Sequence, residues 1–102
     1  MAATRIANAA EAAGYESGRV DEPAGLPASS EIAIAFVDWG DRQPGWAGAL
    51  QSWRAAAQPE PRLLLFGPHT DLEAHAEARR HGLGPMMARS KLFASLPALL
   101  RQ

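Results

Sequence analysis

The chain has 102 residues, 47% of them hydrophobic, with ten basic against eleven acidic residues. This fits one small domain over 1–102 and lacks the basic stripe that a nucleic-acid or anionic-membrane partner needs. The absence of Cys excludes disulfides and thiolate chemistry; with no apolar run near the ~18 residues of a bilayer span and no recognisable secretory leader, a cytoplasmic protein is expected.

Residues 4–13 carry Ile6, Ala9, Ala10 and Ala13 at i, i+3, i+4 and i+7. That stripe predicts a short helix, and Gly14 stands where a C-cap glycine belongs. Residues 15–20, "YESGRV", are a weak strand candidate. Tyr15 and Val20 favour a strand and Gly18 does not. Residues 21–30, "DEPAGLPASS", read as a loop.

"EIAIAFVD" (31–38) predicts a strand, and its continuous apolar run suits burial on both faces of a parallel sheet. A loop follows at 40–45. Trp46, Ala49, Leu50, Trp53 and Ala57 then mark an amphipathic helix over 46–57, stopped by "QPEP". "RLLLFG" (62–67) is a second buried strand. Thr70 and Glu73 have capping-box spacing before a helix at 71–81, whose last turn holds Arg79, Arg80 and His81 before Gly82. "PMMAR" (85–89) predicts a short third strand. Leu92, Leu96, Leu99 and Leu100 outline a last helix over 91–101, with Pro97 forcing a late start or a bend. Trp46, Trp53, Met86 and Met87 read as core, whereas Trp39 follows the strand in a loop position and is a candidate for partial exposure at a partner surface.

Strands alternating with helices predict an α/β protein with a parallel sheet covered on both faces. In such sheets the functional crevice lies at the carboxyl ends of the strands. Asp38, Gly67 and Arg89 stand at those ends. Elsewhere the chemistry is sparse. His69, His75 and His81 are six apart and share no helix face, so no metal site is assigned. No phosphate-cradling glycine loop and no G-x-S-x-G elbow occurs. No catalytic residue is assigned, and the chain is not expected to be an enzyme.

An acid closing one buried strand, a small residue closing the next and a cation closing the last resembles the receiver domain of bacterial response regulators. "RIANAAEAAGYE" (5–16) is similar to that family's first helix and turn, "IAIAFVDW" (32–39) to its phosphoacceptor strand and "RLLLFGPHTD" (62–71) to its fourth strand. "ARRHGLGPMMARSKLF" (78–93) is similar to the fourth helix's end, the fifth strand and the start of the last helix. The resemblance implies a three-layer flavodoxin-like fold and makes Asp38 the candidate phosphoacceptor. The alternative reading of Asp38 is a polar turn residue retained in a degenerate site.

The departures from the family are specific. The family's hydroxyl residue on the fourth strand is Gly67 here, followed by Pro68, and its Lys-Pro pair is Arg89 and Ser90. Arg keeps the charge but not the compact ammonium. The family's first strand and its Mg²⁺-holding acidic pair have no counterpart, since the first acid is Glu11. The fold is therefore expected to be N-terminally truncated, leaving strand 31–38 with an open apolar edge. Three coverings are open: a start upstream of Met1, closure by 15–20, or a second copy.

Together these features imply a receiver-like signalling module without a working phosphorylation switch. It would act through a protein partner or as a homodimer, with no cofactor. By resemblance the partner face spans about 71–101, with Arg79, Arg80, Arg89 and Lys91 as polar candidates; Arg79 and Arg80 also read simply as a solvated helix end. One alternative is a conventional receiver phosphorylated on Asp38 with Mg²⁺, its first strand encoded upstream. Another is a small α/β enzyme or nucleotide binder.

Overall fold

Three parallel strands form the sheet of this computed structural model, which describes residues 2–101. β1 is Ile34–Asp38, β2 is Arg62–Gly67 and β3 is Met86–Ala88, in the spatial order β1-β2-β3. Phe36 pairs with Leu64, Asp38 with Phe66 and Gly67 with Ala88. Parallel neighbours cannot be joined by a tight turn and need a crossover. Helix α2 (Trp46–Ala55) makes the first crossover and α3 (Leu72–Arg80) the second. The α/β alternation and parallel pairing expected from the sequence are therefore present.

The helices divide between the two faces. Ala47 and Leu50 of α2 and Ala74 and Ala78 of α3 pack with Ala35, Leu63, Leu65 and Met86. On the other face, α1 (Ala2–Ala12) and α4 (Arg89–Arg101) bring Ala10, Leu92, Leu96 and Leu100 against Phe66. The split follows the two-residue period of a strand. Odd-numbered Ala35, Leu63 and Leu65 face one layer, and even-numbered Ile34, Phe36 and Phe66 face the other.

Several boundaries move from their predicted positions, each for a local reason. The α3 cap is Asp71, not Thr70. Its carboxylate accepts the Ala74 amide at 3.1 Å, and an ionised acceptor is stronger there than a hydroxyl. β3 ends at Ala88, and Arg89 is the first residue of α4. Pro97 neither delays nor ends that helix. Its ring lies on the exposed side while Leu92, Leu96 and Leu100 hold the helix to the sheet. Helix α1 closes as expected, with Gly14 at φ +93°.

Residues 15–20 form no strand. Closure of β1 by this segment is thus overturned: β2 is its only strand neighbour among the described residues. The tyrosine side chain is used instead for docking, because Tyr15 Oη donates to the Leu100 carbonyl at 3.0 Å. The predicted loop 21–30 holds two single 3-10 turns, Pro23–Gly25 and Ser29–Glu31.

Candidate functional site

β1 delivers Asp38 to the carboxyl end of the sheet, where the backbone leaves the strand and enters a 3-10 turn, Trp39–Asp41. Side-chain alternation continues through this point. Asp38 shares the parity of Ile34 and Phe36, and Trp39 shares that of Ala35 and Val37. The Trp39 indole is consequently driven into the α2/α3 layer and is fully buried. Its Nε1 donates to the Ala74 carbonyl of α3 at 2.9 Å. The expectation of an exposed Trp39 at a partner surface is therefore corrected. Trp39 is a core residue, placed there by the pleat of the strand that precedes it.

Asp38 and Arg89 meet as their positions suggested. One guanidinium nitrogen, Arg89 Nη2, donates to both Asp38 carboxylate oxygens at 3.0 Å. The same guanidinium lies 5.9 Å from the Phe66 ring centroid. The side chains are 32% and 44% exposed, so solvent weakens the attraction and the pair contributes at most about 1 kcal/mol. Its importance is geometric. Both oxygens of the candidate phosphoacceptor already have a cationic partner from the same chain.

Gly67 joins the crevice as backbone alone. A Cβ added to it would lie 3.0 Å from the Gly40 nitrogen and 3.0 Å from Met86 Sδ. A Cβ on Gly40 would lie 2.7 Å from the Pro68 ring. The turn after β1 and the end of β2 are in backbone contact, and each glycine is what permits it. A hydroxyl-bearing side chain at position 67 has no room unless the turn moves.

Arg42 holds that turn in place and was not anticipated from the sequence. Its Nε donates to Glu77 Oε1, and its Nη1 donates to the Trp39 carbonyl at 3.3 Å and lies 3.9 Å from Asp71 Oδ2. The guanidinium also sits over the Trp39 ring, 5.5 Å from its centroid. Trp39 and Arg42 together tie the turn to α3 at both levels, core and surface. Nothing in "GDRQPG" marks Arg42, because its acidic partners lie on a helix and its cap three elements later.

The other candidates divide by exposure. Arg79 and Arg80 end α3 and are solvated, with Arg80 3.5 Å from Glu73. Lys91 is exposed in the first turn of α4. Leu72, at the start of α3, is 76% exposed and had not been singled out. β3 packs against both α3 and α4, so these residues stand on the two helices that flank the β3 edge.

No group of three or more carboxylates and imidazoles among the described residues is arranged to hold a metal. His75 Nε2 contacts the His69 carbonyl at 3.2 Å, a local loop contact. Two shallow depressions occur, of about 350 and 320 Å³. The first lies at the amino ends of β1 and β2, and the second lies between residues 21–24 and the start of α2. Neither includes Asp38, Gly67 or Arg89. No helix among the described residues is long and apolar enough to cross a membrane.

No protein-family model matches the chain, and neither does any curated protein or solved structure. The functional reading consequently rests on the crevice and the surface beside it.

Proposed function

We propose that the chain is a receiver-like regulatory module of flavodoxin-like topology that works by protein–protein recognition and does not use a phosphorylation switch. In this reading β1, β2 and β3 correspond to the third, fourth and fifth strands of a receiver. The partner surface is the α3–β3–α4 region, with Leu72, Arg79, Arg80 and Lys91 as its exposed contacts.

The observation that carries the reading is the engagement of both Asp38 oxygens by Arg89. Phosphoryl transfer to a carboxylate needs a free oxygen and neutralisation of the developing charge, usually by a metal. Here a guanidinium hydrogen-bonds to both oxygens and draws charge from them, and Gly40 fills the space beside Gly67. Recognition asks less of the site: a rigid framework and a solvated surface that combines charge with an exposed apolar residue.

The test is incubation with acetyl phosphate and Mg²⁺ followed by intact mass measurement. The expected outcome is an unmodified chain. A phosphoryl adduct that disappears in Asp38→Ala would replace this reading with that of a conventional phosphorylated receiver.

A further inference from the structure

The outer edge of β1 carries an inference separate from the crevice. Arg62 N donates to the Ala33 carbonyl at 2.9 Å. The alternation of a parallel ladder then turns the backbone groups of Ala35 and Val37 toward β2 as well, and those of Ile34, Phe36 and Asp38 outward. No loop or turn backbone hydrogen bond reaches the outward groups of Ile34 and Phe36 among the described residues, whereas the Asp38 carbonyl caps the 3-10 turn Trp39–Asp41. Native edges are normally blunted by charge, proline, shortness or a covering element. β3 is blunted by its length of three residues, but β1 has five, and its side chains are uncharged until Asp38.

Both faces of this edge are apolar and incompletely covered. Ile34 and Phe36 are half-buried toward α1 and α4, and Val37 is half-buried toward α2. In the central strand, Leu65 and Phe66 are 1% and 3% exposed. β1 thus has the composition of an interior strand at an edge position.

The chain path limits what can fit. Tyr15 is anchored at the carboxyl end of α4, which lies toward the amino ends of the strands. Residues 21–24 lie beside residues 43–46, at the opposite end. Residues 15–20 therefore run from the amino end of the sheet to its carboxyl end without pairing to β1. This segment and its margins are acidic: Glu11, Glu16, Asp21, Glu22 and Glu31 face solvent against a single base, Arg19.

We propose that the β1 edge accepts one extended strand from another polypeptide. The strand is apolar on both faces over about five residues, matching the edge, and carries Lys or Arg at its flanks, matching the acidic margin. Charge argues against a second copy, because two copies meeting edge to edge would bring their acidic margins, Glu16, Asp21, Glu22 and Glu31, against one another. A single strand gains ladder hydrogen bonds and contacts on both faces. This surface differs from the α3–β3–α4 region, so either proposal can fail without the other.

The probe is a synthetic peptide with five alternating valines and isoleucines between pairs of lysines. Backbone amide exchange is followed by NMR on the full chain. In the free protein the Ala35 and Val37 amides exchange slowly, and those of Ile34, Phe36 and Asp38 exchange fast. Saturating peptide slows the outward amides by at least about tenfold and leaves Ala35 and Val37 unchanged. N-methylation of alternate peptide amides, which removes ladder donors, abolishes the effect. Replacing the lysines by glutamates weakens binding by about tenfold at low salt. The proposal is overturned by no response at about 1 mM peptide, by an equal response to the N-methylated peptide, or by preference for the glutamate peptide. It is also overturned if the free protein already protects these amides in proportion to its own concentration, which would assign the edge to a second copy.

Discussion

The two faces of the sheet are unequally finished. The α2/α3 layer encloses Trp39, Leu50, Leu65 and Leu83 almost completely. The α1/α4 layer encloses Leu92 and Leu96, but Ile6, Phe36, Met87 and Phe93 around them stay half-buried. The difference traces to connectivity. α2 and α3 are crossovers, each held at both ends by strands of the sheet. α1 is joined to β1 only through some twenty residues of coil and single turns, and it rests on α4 rather than on a strand crossover. Local opening is expected to begin where few buried contacts and long connections coincide, which here means α1.

Three substitutions test this contrast. Trp39→Ala is expected to cost about 3–5 kcal/mol, because it empties the sealed layer and leaves the Ala74 carbonyl without its indole partner. Urea unfolding measures it, and a loss under about 1 kcal/mol would show that the α2/α3 layer is not the principal support. Gly67→Thr introduces a hydroxyl at the position where a receiver carries one, and it should cost about 1–3 kcal/mol through overpacking against Gly40 and Met86. A neutral result would mean that the turn yields freely and the crevice can open. Ile6→Ala, on the half-finished face, should cost only about 1 kcal/mol. Amide exchange should then rise in α1 while β2 stays protected; equal acceleration in both would erase the distinction between the layers.

Much of the fold was legible because it depends on local patterns. β2 emerged with its predicted bounds, since an uninterrupted apolar run between breakers has few other solutions. The helices ended at Gly14 and Gly82 because only glycine enters the left-handed region cheaply. The meeting of Asp38 and Arg89 followed from strand alternation and sheet geometry. What escaped depended on distant partners. Arg42 carries no local mark of its pairing with Asp71 and Glu77. The reciprocal need for Gly40 and Gly67 appears only once two loops are in contact. Trp39 stands in a loop by sequence pattern, whereas the strand's pleat extends one residue beyond its ladder and buries the indole. Residues 15–20 had weak strand propensity and found no ladder to join.

The clamp made by Trp39 and Arg42 has a consequence for control. An indole hydrogen bond and a guanidinium bridge fasten the turn after β1 to α3. Under the proposed function, a chain fastened this way would present the same α3–β3–α4 surface whenever it is folded. The output of such a surface would then scale with how much folded protein is present, which would place its regulation in synthesis and turnover.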